Sequence, residues 1–286
     1  MRSFLAILRA LTHLQVPMAL SAVALVESMT LLLSGRSAGL SWLLAAAFGT
    51  LGLYLLDGIR SADHEDAISQ EGRSALCRRH RGALALAAGI ALAVGGGFVL
   101  ASDPSVTAFC MLAIVALLGA THVLPLVRWR GDWCTVKELA LIKPVVISFA
   151  WLLGGFVVAF AMLPPDTGAS ISQVAGLVLI VGPLLLLDSV WLDRRDMQGD
   201  AVFSRGSFIA RSAPRSFLLL RIVLFLVPIA GVPLLPHGAT FLAWSWSGAA
   251  CLVFLPPDRI RSEALQVLLA ALWRFTGLLG LLVVVS

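Results

Sequence analysis

Leu184 to Arg205 reads LLLLDSVWLDRRDMQGDAVFSR, and the fold is decided by how that stretch begins and how it ends. Its start closes an apolar run long enough to cross a bilayer. Its end is dense with charge: Asp193, Asp196 and Asp200, with Arg194, Arg195 and Arg205 among them. On a helix, offsets of three and seven residues hold the three carboxylates within about 60° of one another, on one face. Carboxylates crowded in this way repel unless a cation sits between them. The arginines on other faces suit an anionic substrate carried on a metal. The plainer alternative is a solvated, charged helix end.

Outward from this stretch the apolar part repeats. The chain has 286 residues, 59% hydrophobic and 13% charged, with a mean hydropathy of +0.95, which excludes a soluble domain. Apolar segments of about 20 residues recur, enough for a hydrocarbon core of about 30 Å. Nine spans are expected, over 14–34, 38–57, 83–102, 105–127, 143–163, 172–192, 215–235, 237–256 and 264–285. The expectation is an all-α polytopic membrane protein, one bundle over residues 1–286 with no soluble domain. Met1–His13 reads as an amphipathic interfacial helix leading into span one, with Arg2 and Arg9 opposite Phe4, Leu5 and Leu8, in preference to the alternative of a cleaved signal peptide. Four cysteines without metal-type spacing predict neither disulfide nor zinc. A pI of 9.6 invites nucleic acid, but the placement of charge explains it better. With the N-terminus cytoplasmic, every Lys and Arg of the 21 except Arg36 and Arg274 falls on the cytoplasmic side. The topology expected is N-in and C-out, with no nucleic-acid partner.

A second acidic end lies earlier in the chain. Span two closes in Tyr54-Leu-Leu-Asp57-Gly-Ile-Arg60, followed by Asp63, Glu65 and Asp66 and then by Arg73, Arg78, Arg79 and Arg81. Arg78 to Arg81 read as the ordinary basic flank of a cytoplasmic loop. Asp57 and Asp196 are 139 residues apart, each at the inner end of an even-numbered span. Two acidic clusters facing each other across one cavity make a site for two divalent cations, which bind a diphosphate and help it leave. Carboxylate and phosphate oxygens with no Cys or His set favour Mg²⁺ over zinc. Lys137 and Lys143 are the only lysines, both in or beside one cytoplasmic loop, and Lys143 opens span five before Pro144. Lys143, Lys137, Arg205 and Arg60 read as cations that neutralise a departing diphosphate. Tyr54, the only tyrosine, lies one turn before Asp57, and Trp191 lies just before Asp193. The other tryptophans of the spans, Trp151 and Trp273 among them, read as belt and packing residues.

Glu27, Asp188 and Arg274 are charges inside the spans. Glu27 in span one and Arg274 in span nine share a depth, and an intramembrane charge is costly unless paired, so the two are expected to meet, as a structural pair ahead of a catalytic one. Asp188 reads as support for the metal-binding Asp193, as a helix-packing hydrogen bonder or as a proton site.

These residues resemble the UbiA superfamily of intramembrane prenyltransferases, over nearly the whole chain. Members have nine transmembrane helices, an NDxxDxxxD motif after helix two and a DxxDxxxD motif after helix six. The second is met by Asp193, Asp196 and Asp200, and the tail RRDMQGDAVFSRGS is similar to the family's RDxEGDRxxGxRT. In the first, aligned on Asp57, Leu53 stands for Asn, Tyr54 for Asp and Ser61 for the third acid, and the chain has no asparagine. This form looks like a divergent bacterial branch. The resemblance implies a Mg²⁺-dependent prenyltransferase of the bacterial inner membrane. Metal would lie on Asp57, with help from Asp63, Glu65 or Asp66, and on Asp193, Asp196 and Asp200. Catalysis would rest on these and Lys143, and donor binding on Tyr54, Arg60, Lys137, Arg205 and Trp191. Its partners would be a polyprenyl diphosphate donor, a hydrophobic acceptor (aromatic, quinone precursor or lipid) and membrane lipid. A catalytically inactive isoprenoid-binding relative is one rival. A cation-coupled transporter using Glu27, Arg274 and Asp188 is another.

Overall fold

Apolar chain in lipid must satisfy its backbone internally, and the apolar segments here all become helices. The computed structural model describes residues 2–64, 66–129, 131–139, 143–163, 168–196, 198–199, 202 and 213–285. In chain order the helices are α1 (Arg2–His13), α2 (Val16–Ser34), α3 (Leu40–Ser61), α4 (Asp66–Ser69), α5 (Glu71–Arg79), α6 (Arg81–Ala101) and α7 (Val106–Val123). A hairpin of β1 (Val127–Trp129) and β2 (Asp132–Cys134) intervenes. Then come α8 (Lys143–Ala161), α9 (Ile171–Arg195), α10 (Pro214–Leu226), α11 (Gly238–Phe254) and α12 (Glu263–Val285).

Eight helices among the described residues are long and apolar enough to cross a membrane: α2, α3, α6, α7, α8, α9, α12, and α10 with its 3₁₀ continuation to Leu234. The protein is a multi-pass, all-α membrane protein. The segment expected as a further span over 237–256 is the apolar α11, of 17 residues, shorter than the other eight.

Helix ends follow local chemistry. Ser170 and Gln173 form a capping box at the start of α9, which runs unbroken through Pro183 to Arg195 and so carries Asp193 in its last turn. The span expected over 105–127 stops at Val123, because Leu124 precedes Pro125 and a residue before proline avoids helical geometry. The chain then turns at Gly131, whose φ of +100° suits glycine, and pairs Val127 with Cys134. Pro228 and Pro233 lack the N–H that an α-helix needs, and the end of the seventh span tightens to 3₁₀ over Val227–Leu234.

α2 lies at the centre, against α3, α8, α9 and α12, and is the most buried of the spans. Leu177, Ile180, Leu184 and Leu185 of α9 form the core with Phe241 of α11 and Trp273 of α12. Lipid offers no hydrophobic drive between helices, so close packing must supply it. α3 and α6 touch backbone to backbone, where a Cβ on Gly95 would sit 3.0 Å from the Gly49 nitrogen.

Candidate functional site

The C-terminal ends of α3, α7 and α9 and the first turn of α8 meet at one end of the bundle. They enclose a cavity of about 170 Å³. Its wall is apolar for most of its extent, with Leu53, Met18, Val146, Ile147, Leu192 and Val267, and the ring residues Tyr54 and Trp151. Its charges are four acids, Asp57, Asp188, Asp193 and Asp196, and four bases, Arg73, Lys143, Arg195 and Arg274. The acidic ends of spans two and six, expected to face each other, do line one cavity.

Each end is held by a different device. Asp57, in the last turns of α3, lies 3.3 Å from Nη2 of Arg73 and 3.9 Å from Nε2 of His122. Arg73 reaches back from α5, with Nη1 3.0 Å from Asp66 and Nη2 donating to the Tyr54 carbonyl at 3.0 Å. Burial alone would lower the pKa of this guanidinium, but Asp66 and Asp57 outweigh it and hold the pKa above its ordinary value. Asp66 also accepts from Ser61 and from Gln70. The same Gln70 amide donates to Asp196 at 3.2 Å and so ties the two acidic segments together. On α9, Asp193 lies 3.1 Å from Lys143 Nζ, and both are buried. Asp196 accepts from Nε and Nη2 of Arg195 at 2.7 and 2.9 Å.

Deeper in the cavity, Asp188 accepts from Arg274 and from the Trp273 indole at 3.0 Å. Arg274 also donates to Ser21 and lies 4.5 Å above the Trp151 ring. This corrects the expected Glu27–Arg274 pair. Glu27 instead accepts the Ala38 N–H at 2.8 Å, just before α3. Equal depth did not bring the two together, because α9 places a carboxylate nearer to α12 on its own face.

Of the other expected residues, Arg60 is exposed and does not line the cavity. Trp191 is fully buried in the core, donating to the Leu255 carbonyl at 2.7 Å. Two residues from Asp193 on a helix, it points about 200° away from it. Asp63 pairs with Arg81 at the surface, 2.9 Å apart. Lys137 sits in the 3₁₀ turn Val136–Glu138, and its side chain lies outside the described residues. Asp200, Arg205 and Glu65 also lie outside them.

Arg73, Gln70, His122 and Trp151 line the cavity without having been singled out as site residues, and so does Arg195, one of the arginines interleaved with the acids of α9. Helical spacing does not mark Asp66, Gln70 and Arg73 as a set, because the chain leaves helical geometry at Gln70, between α4 and α5.

A hard cation such as Mg²⁺ wants oxygen donors. At the end of α9 the donor type fits, since Asp193 and Asp196 are both carboxylates on the cavity wall, with Lys143 and Arg195 standing beside them as separate cations. At the end of α3 it does not fit, because the guanidinium of Arg73 already stands between Asp57 and Asp66. Among the described residues no three His, Cys, Asp or Glu side chains converge as a metal-ligand set.

The chain matches no protein-family model, no curated protein and no solved structure.

Proposed function

We propose that this protein is an intramembrane prenyltransferase resembling the UbiA superfamily, with α11 as its ninth span. Asp57, Asp193, Asp196 and Lys143 line one cavity whose wall is apolar for most of its extent, and that observation carries the reading. A polyprenyl diphosphate has this shape, with a charged head and a long apolar tail. The head would lie at the charged end and the tail along Leu53, Ile147 and Val267.

Asp193 and Asp196 would hold Mg²⁺, which supplies charge neutralisation at the diphosphate. Lys143, fixed by Asp193, presents an ammonium to the departing oxygens, and electrostatic stabilisation of this kind is usually the largest single catalytic effect. The C1–O bond of the donor breaks with both electrons leaving on the diphosphate. The allylic cation left behind faces Tyr54 and Trp151, whose rings favour positive charge, while the apolar wall excludes water. An acceptor (aromatic, quinone precursor or lipid) then supplies the electron pair of the new bond and loses a proton. The distribution of Lys and Arg supports an N-in, C-out chain, and the resemblance implies the bacterial inner membrane.

A second reading has one observation in its favour. Every carboxylate of the cavity already has a protein cation beside it, as suits an inactive relative that binds isoprenoids without turnover. Binding of farnesyl diphosphate in nanodiscs, with and without Mg²⁺, tests the metal site. Asp196→Asn is expected to abolish the Mg²⁺-dependent component. Unchanged Mg²⁺-dependent binding would mean that the end of α9 has been misread.

A further inference from the structure

We infer that Arg73 is the built-in cation of the first acidic segment. On this inference the site takes one divalent ion with each bound diphosphate, where two facing acidic clusters suggest two. The inference rests on the prenyl diphosphate reading above.

The guanidinium is held from three directions. Nη1 lies 3.0 Å from Asp66, and Nη2 lies 3.3 Å from Asp57 and 3.0 Å from the Tyr54 carbonyl. Asp66 is itself fixed by Ser61 and Gln70 and is only 1% exposed, so it cannot swing toward an ion in the cavity. Arg73 is buried as well, at 4% exposure. α3 makes room for it at Gly58, where a Cβ would sit 2.8 Å from Nη2. A metal between Asp57 and Asp66 would have to displace a buried charge from both carboxylates at once and leave it uncompensated. The guanidinium therefore occupies the place of the ion and does its electrostatic work.

Arg73 and Asp57 both line the cavity. Three of the five N–H groups of the guanidinium are committed to Asp66, Asp57 and Tyr54. The other two are donors for a phosphate oxygen. Asp57 acts as a positioning residue that aims Arg73 at the head group. The divalent ion falls to Asp193 and Asp196, whose cations, Lys143 and Arg195, are two separate side chains that an ion can displace one at a time.

The test counts ions. The full chain in nanodiscs is saturated with farnesyl methylenediphosphonate, a non-ionising donor analogue, and titrated with Mn²⁺ read by electron paramagnetic resonance. The wild type is expected to bind one Mn²⁺ per chain with the analogue. Asp57→Asn is expected to leave the count at one, and Asp193→Asn to bring it to zero. Arg73→Ala, which takes the shared cation from Asp57 and Asp66, is expected to raise it to two. Should that variant fail to fold, the Asp57→Asn and Asp193→Asn pair carries the test. Two ions on the wild type, or loss of an ion in Asp57→Asn, overturns the inference while leaving the donor site standing. Analogue bound with no Mn²⁺ overturns it as well. Failure of the wild type to bind the analogue at all would instead overturn the prenyl diphosphate reading.

Discussion

Replacing Arg274 distinguishes the two acids that share its depth in the bundle. In Arg274→Met the stem survives, while Asp188, 2% exposed, keeps only Trp273 and Ser189 as hydrogen-bond partners. Stripping a buried carboxylate of its cation costs about 3–5 kcal/mol, and Asp188→Leu leaves the guanidinium equally stranded. Each single variant is expected to lose that much stability. The double variant removes both charges together and is expected to lose less than their sum, with a coupling of roughly 2–3 kcal/mol. Glu27→Gln keeps an acceptor for the Ala38 N–H and loses only the assistance of charge, about 1 kcal/mol. Combined with Arg274→Met it should add, within about 0.5 kcal/mol. Reversible unfolding by dodecyl sulfate in bicelles, followed by circular dichroism, measures both cycles. Coupling between Glu27 and Arg274 with additivity between Asp188 and Arg274 would refute the assignment.

Lys143→Met is expected to slow diphosphate release by roughly 10²–10³-fold, as loss of a fixed donor at developing charge does, with Lys143→Arg retaining part of the rate. Single-turnover release of labelled diphosphate measures it. Trp191→Phe should cost about 1–3 kcal/mol of stability by orphaning the Leu255 carbonyl, yet leave turnover unchanged. Trp151→Leu should lower turnover more than donor affinity, and steady-state kinetics on the two variants separates packing from cation stabilisation. Gln70→Ala removes the amide that joins Asp66 to Asp196, and the concentration of Mg²⁺ needed for half-maximal release should rise several-fold.

The spans were legible because lipid leaves an apolar backbone little choice but a helix, and their centres lie where hydropathy puts them. The short end of α7 was missed because a single Pro125 outweighs a run of apolar residues before it. The convergence of Asp57 with Asp193 and Asp196 was legible from offsets of three and from charge at matching span ends. The partner of Arg274 was not, because hydropathy gives depth along a helix and not the direction a residue faces. The position of Trp191 was readable, since two residues along a helix turn a side chain to nearly the opposite face from Asp193. Arg73 was hidden among the basic residues of its loop, where topology alone accounts for arginine, and the break in the helix at Gln70 removes any periodic link to Asp66.

The most direct measurement is diphosphate release from geranyl, farnesyl and geranylgeranyl donors in nanodiscs, with and without Mg²⁺, on the wild type, Asp57→Asn and Asp193→Asn. If the ends of α3 and α9 form one donor site, release by the wild type requires Mg²⁺ and falls by at least roughly 10²-fold in each variant. Donor bound without release by the wild type, or release that survives both substitutions, would contradict it.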